Sequence, residues 1–196
     1  MCGDPTRNPN PCARCEQHPL SLAAVRSLSA FDGPLRNAIH QLKYYQDQPL
    51  AQALGEALQD YWRLLRWPRA LVVPVPLSRE RLAHRGYNQA ELLADMLAGS
   101  AGLPVAPGAL RRRRDTPSQV GLSANERWNN MIGAFEARPS LVRGQPILLI
   151  DDVFTTGATL QACAQALLLE GAGQVYGLTA ARAGQLRWQD HSRLPD

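Results

Sequence analysis

Late in the chain, Ile147, Leu148, Leu149 and Ile150 form an unbroken apolar run closed by Asp151 and Asp152. A short run without alternation predicts a strand buried on both faces, as in a parallel sheet. Thr155, Thr156, Gly157 and Thr159 come next, and Leu160, Cys163, Leu167 and Leu168 then recur at helical spacing until Gly171 and Gly173. Strand, acidic pair, hydroxyl-rich turn and helix predict a phosphate site at the carboxyl end of a sheet. Backbone N–H groups, hydroxyls and a helix N-terminus worth about half a positive charge would converge there. Successive strand residues face opposite sides, so the two carboxylates should do different jobs. One can reach ribose hydroxyls or a hydrated Mg²⁺, and the other can brace the loop.

A second unit of the same kind precedes it. Leu71 to Pro76 reads as a short strand stopped by prolines. Arg79, Arg81, His84, Arg85 and Gly86 fill the connecting loop, which suits a pyrophosphate group. Asn88 with Glu91 reads as a capping box, and Leu92, Leu93, Met96 and Leu97 carry the helix. Further upstream the pattern is helical from Phe31. Asp32-Gly33-Pro34 opens one helix with Leu35, Ala38, Ile39 and Leu42 on one face, and Pro49 opens another. Packing accounts for both faces. Lys43-Tyr44-Tyr45, ending the first helix, is the exception: it could face a ligand base or a partner. Arg111 to Arg114, Asp115 to Gln119 and the Ser123–Glu126 capping box make a long polar connection, either a solvated face or a mobile lid. Residues 138–145 read as a polar linker, and Gln174 to Ala181 as a final strand.

Composition narrows the class. The chain has 196 residues, 45% hydrophobic and 19% charged, enough for one domain with a real core and a small appendage. No apolar run approaches the roughly 18 residues that span a bilayer, and the start lacks a signal pattern, so a cytoplasmic protein without membrane insertion is expected. Net charge is +4, and of the 21 Lys and Arg residues only Lys43 is Lys. Arginine suits bidentate phosphate contacts, but the excess is too small to argue nucleic-acid binding by itself. Cys2, Cys12 and Cys15 crowd the start, while Cys163 falls on an apolar helix face. Cys12-Ala13-Arg14-Cys15 is half of a Cys₄ zinc site, and Cys2 reads as the end of a second knuckle. The fourth ligand is open between a thiol upstream of Met1, His18, and a degenerated site.

Several blocks in this order resemble the competence protein F (ComF) family of phosphoribosyltransferase-like proteins. They are Cys12 and Cys15; Leu42-Lys43-Tyr44; Val73 to Pro76; Arg85-Gly86-Tyr87-Asn88-Gln89-Ala90; Arg114 to Gln119 with Arg127, Asn130 and Phe135; and Ile150 to Thr159. The resemblance implies an α/β type I phosphoribosyltransferase fold, a mainly parallel sheet flanked by helices. It implies a Cys-rich knuckle over 1–20, a helical hood over 21–70, a core over 71–183 and a polar tail over 184–196. It further implies a ligand, phosphoribosyl pyrophosphate (PRPP), with Mg²⁺. Asp151 and Asp152 would be the catalytic acids on the ribose hydroxyls, and Thr155, Thr156, Gly157, Ala158 and Thr159 would cradle the 5′-phosphate. Arg79, Arg85 and Gly86 would hold pyrophosphate, and Arg114, Gln119 and Arg127 would belong to the flexible loop. Cys2, Cys12 and Cys15 would bind Zn²⁺. The family is linked to natural transformation, beside a competence helicase that draws in single-stranded DNA. Two functions follow: a phosphoribosyltransferase of unknown acceptor, or a non-catalytic PRPP-sensing or partner-binding protein of DNA uptake in which Arg111 to Arg114 contact single-stranded DNA.

Overall fold

The computed structural model describes residues 2, 12–45, 47–114 and 123–183. Its centre is the strand expected from the apolar run, although it runs further than expected. That strand, β5, spans Ile147–Phe154 and carries both acids within its last four residues. In chain order the preceding elements are α1 (Ala13–Gln17), β1 (Ala24–Ala30), α2 (Gly33–Tyr44), α3 (Gln48–Leu65), β2 (Leu71–Pro74), α4 (Arg79–Arg85), α5 (Gln89–Ala101), β3 (Leu110–Arg112), α6 (Ala124–Met131), β4 (Phe135–Ala137) and α7 (Pro139–Val142). After β5 come α8 (Ala158–Leu169) and β6 (Val175–Arg182).

Among the described residues four strands form one sheet in the order β1-β6-β5-β2, every pair parallel. The period-two rule sorts the core. Ile147 and Leu149 join the cluster that includes Cys163 and Leu167 of α8. Leu148 and Ile150 join the opposite cluster, built on Ile39 and Leu42 of α2, Leu54 and Leu58 of α3, and Leu93 and Leu97 of α5. Helices therefore flank the sheet on both sides, as expected. Gly55 lets α3 lie directly against α5, since a Cβ there would fall 2.2 Å from Met96 Cβ.

Several local readings need revision. The stretch expected to be helical hood contains β1, whose pattern of partly buried residues carries no clean alternation. The basic loop after β2 is instead the short helix α4, capped by Ser78, whose Oγ accepts from the Arg81 N–H, and by Gly86 at φ +78°. The polar linker over 138–145 contains α7, and the basic run opens on a small antiparallel ribbon, β3 with β4. Asn88 caps α5 through the Ala90 N–H, whereas the Ser123–Glu126 capping box forms in full.

Candidate functional site

At the carboxyl end of β5 the alternation of the core continues into the acids. Asp152 follows the α2–α5 side and Asp151 the α8 side. Asp152 is 6% exposed, and its Oδ2 takes an ion pair from Lys43 Nζ at 3.0 Å and a hydrogen bond from Gln89 Nε2 at 3.1 Å. Gln89 is held in that orientation because Arg85 Nη1 donates to its Oε1 at 2.7 Å. Asp151 is partly buried and accepts the Asp152 backbone N–H at 2.9 Å. Burial pushes the Asp151 carboxyl up to about 8, and the neighbouring Asp152 charge pushes the same way. The Asp152 N–H and the Lys43 charge oppose the shift without cancelling it.

The block from Arg85 to Ala90 organises this corner. Asn88 Nδ2 donates to the Val75 carbonyl at 3.0 Å, fixing α5 to the end of β2. Tyr87 donates its hydroxyl to the Leu42 carbonyl, in the last turn of α2. One motif thus ties β2, α2, α5 and the acid on β5 together. The Arg85 guanidinium also lies 5.5 Å from the centre of the Tyr44 ring, which rests against His40.

Across from the motif lies the turn after β5. Gly157 adopts φ +90°, and a Cβ there would sit 3.0 Å from the Phe154 ring. Left-handed backbone with no room for a side chain explains glycine here. Thr156 Oγ1 accepts from the Ala158 N–H at 3.4 Å, and Thr155 and Thr159 face the cleft. That cleft holds about 390 Å³ and is lined by Lys43, Arg81, Arg85, Gln89, Arg112, Arg127, both acids, Thr155 and Thr159, among others. Two adjacent carboxylates offer hard oxygen ligands of the kind divalent cations take.

The structure brings together most of the expected site and separates part of it. Arg85 and Arg127 reach the cleft. Arg79 is exposed and lines a neighbouring basic cavity of about 420 Å³ with Arg111, Arg112, Arg113 and Glu136. Gly86 is the exposed end of α4. Arg114 donates to the Asn130 and Ile132 carbonyls, bracing the ribbon. Gln119 lies outside the described residues. Of the four-arginine run, Arg111 is paired with Glu136 at 3.0 Å and Arg112 packs over the Phe135 ring. Arg81 lines the cleft as a member of the basic loop expected to suit pyrophosphate, whereas nothing local in the sequence aims Arg112 or Gln89 at the acids. Gln89 lies within the Arg85–Ala90 motif, and Lys43 is the only Lys of the sequence.

A third cluster sits behind the turn. The Sγ atoms of Cys2, Cys12 and Cys15 all lie within 4.8 Å of one another, with Cys2 and Cys12 at 3.5 Å. Thiolates on one tetrahedral Zn²⁺, each about 2.3 Å from the metal, would be separated by a similar distance, so the three sulfurs can hold a metal ion. His18 is not among the grouped ligands and stacks on Trp128 instead, ring centres 4.7 Å apart. Burial, then the Cys2 and Cys12 thiols, raise Cys15 to about 11. Arg182 fastens the cluster to the sheet: Nη1 donates to the Cys2 carbonyl at 2.6 Å, and its guanidinium lies 4.6 Å from the centre of the Phe154 ring.

Comparison with known proteins gives a consistent set of relatives. The chain is 36% identical to DNA utilization protein YhgH of Salmonella typhimurium over 181 residues, covering 89% of this chain and 79% of that protein. It is 33% identical to competence protein F of Haemophilus influenzae over 180 residues, covering 87% and 78%. It is 29% identical to competence protein ComFC of Bacillus subtilis, covering 93% and 77%. Among solved structures, adenine phosphoribosyltransferase of Trypanosoma brucei superposes with a TM-score of 0.47 at 14% identity, covering 87% of this chain and 93% of that one. No protein-family model matches. Among the described residues no helix is long and apolar enough to cross a membrane.

Proposed function

The chain belongs to the family of competence protein F and DNA utilization protein YhgH, and on that premise we propose that it binds PRPP with a divalent cation in the service of DNA uptake or use. One observation carries the ligand: an acidic pair ends the central parallel strand and leads directly into the Thr155–Thr159 turn, opposite cationic side chains on α4. The turn and the start of α8 suit a phosphate, because their N–H groups and hydroxyls face it with the favourable end of the helix dipole. Asp151 and Asp152 suit ribose hydroxyls. Arg81 and Arg85 give the cleft the positive wall that a pyrophosphate needs. Arg79, which faces the neighbouring cavity, is the weakest of the expected pyrophosphate contacts.

Mg²⁺ fits the acid pair, whose oxygens and mutual repulsion both favour a hard dication. When bound, it would neutralise charge on a departing pyrophosphate. The chain's own groups would position C1 of the ribose and exclude water as an acceptor nitrogen displaces that group. Zn²⁺ fits the three thiols as a structural ion bracing the floor of the turn.

Calorimetry with PRPP and Mg²⁺ on the wild type and on an Asp151→Asn/Asp152→Asn variant tests the ligand. Binding heat in the wild type that vanishes in the variant supports it, while equal heats or none in either rejects it. Pyrophosphate release across a panel of nucleobases, run alongside, separates turnover from PRPP sensing.

The link to DNA rests on the names of the relatives. Direct contact of single-stranded DNA with Arg111 to Arg114 is supported less well, because Arg111, Arg112 and Arg114 make intramolecular contacts. A competence helicase as partner is an inference from the family.

A further inference from the structure

Lys43 is the only Lys in a chain whose other 20 cationic side chains are Arg, counted from a Lys and Arg total of 21. It sits on Asp152, a nearly buried carboxylate of the cleft. Its ammonium is 3.0 Å from Asp152 Oδ2, on an oxygen that Gln89 also contacts. We propose that Lys43 is the resident counter-ion of the acid pair, held on Asp152 while the cleft is empty and exchanged for the divalent cation when the ligand enters. The exchange rests on the PRPP reading for its ligand, but the competition between ammonium and metal does not.

Three features support it. The residue before Lys43 is anchored, since Tyr87 donates to the Leu42 carbonyl, so the ammonium is aimed rather than free to wander. The side chain is still 25% exposed, so its stem can swing without moving the helix. Lysine is also the cation that suits an exchange. It is a point charge on a flexible stem, whereas a guanidinium would fork across both carboxylate oxygens and hold them.

The cleft then has a defined order of charge. Without ligand, Lys43 neutralises Asp152, and a lone dication must compete with it. When a metal arrives with an anionic ligand, the displaced ammonium stays in a cleft walled by Arg81 and Arg85, facing the ligand's negative groups. Free metal should therefore bind poorly and metal with an anionic ligand should bind well.

The test uses Mn²⁺ alone, followed by electron paramagnetic resonance. Lys43→Met should bind Mn²⁺ about tenfold tighter than the wild type, and Lys43→Arg should stay near the wild type or weaker. If Lys43→Met binds no tighter, the proposal falls. A second measurement needs no variant. Trace acetylation located by mass spectrometry reads a single lysine ammonium here, and saturating Mn²⁺ should raise its rate about fivefold. An unchanged rate overturns the exchange. Should both Mn²⁺ effects hold while PRPP gives no binding heat, the counter-ion role stands and the PRPP reading is the part that fails.

Discussion

Asp151 makes the ligand-free protein less stable as pH rises, and the size of that effect can be worked out. Its carboxyl moves from 3.8 to about 8 on folding, chiefly through burial and secondly through the Asp152 charge. Folding therefore takes up a proton between those two values. The native state binds more protons than the unfolded one in that window, so stability is full at its acid end and is lost as pH rises. The limiting slope is about 1.4 kcal/mol per pH unit, and by pH 7 up to ~4 kcal/mol is lost relative to pH 4. Asp151→Asn removes the titrating group and keeps the shape. Urea denaturation of both proteins in a metal chelator, from about pH 5 to about pH 8, should give midpoints that diverge steadily, the variant becoming the more stable. Parallel pH profiles would refute the burial of a titrating acid there. Adding Mg²⁺ should flatten the wild-type profile, because a dication favours the charged form.

Gly55→Ala should cost about 1–3 kcal/mol in urea midpoint, since α3 and α5 must separate to admit a methyl group. Gly157→Ala should lose about 1–2 kcal/mol for its left-handed backbone, and PRPP binding by calorimetry should fall well beyond that stability loss. Gln89→Ala breaks the chain from Arg85 to Asp152 and should weaken PRPP binding about tenfold, equivalent to ~1.4 kcal/mol. Zinc analysis of the purified protein should find about one ion per chain, lost in Cys12→Ser; no zinc in either rejects the knuckle.

The parts of the molecule that were legible in sequence share a physical trait: each is set by its neighbours along the chain. A short apolar run closed by acids and a turn favours a buried strand, so β5 and its two-sided core were legible in four residues. The Ser123 capping box is closed by contacts three residues apart, and it forms as read. What escaped depends on distant partners. β1 has a mixed pattern because it lies at the sheet edge, and only its pairing with β6 makes it a strand. Arg79 and Arg85 look equivalent in a basic stretch, yet α4 separates them, sending one to each cavity. Lys43 was conspicuous by composition, but its carboxylate lies 109 positions away along the chain and no local pattern names it.

The grip of Arg182 on Cys2 has a consequence for synthesis. Those residues are 180 positions apart, and among the described residues β1, an early element, pairs with β6 alone. During translation β1 must wait for β6. The thiol cluster can reach its final seat, and the floor of the turn after β5 can be completed, only once β6 has left the ribosome. Such high contact order slows folding, and a nascent chain would spend that interval with Cys2, Cys12 and Cys15 undocked. Removing only the last strand should therefore cost the sheet, the thiol cluster and the turn together.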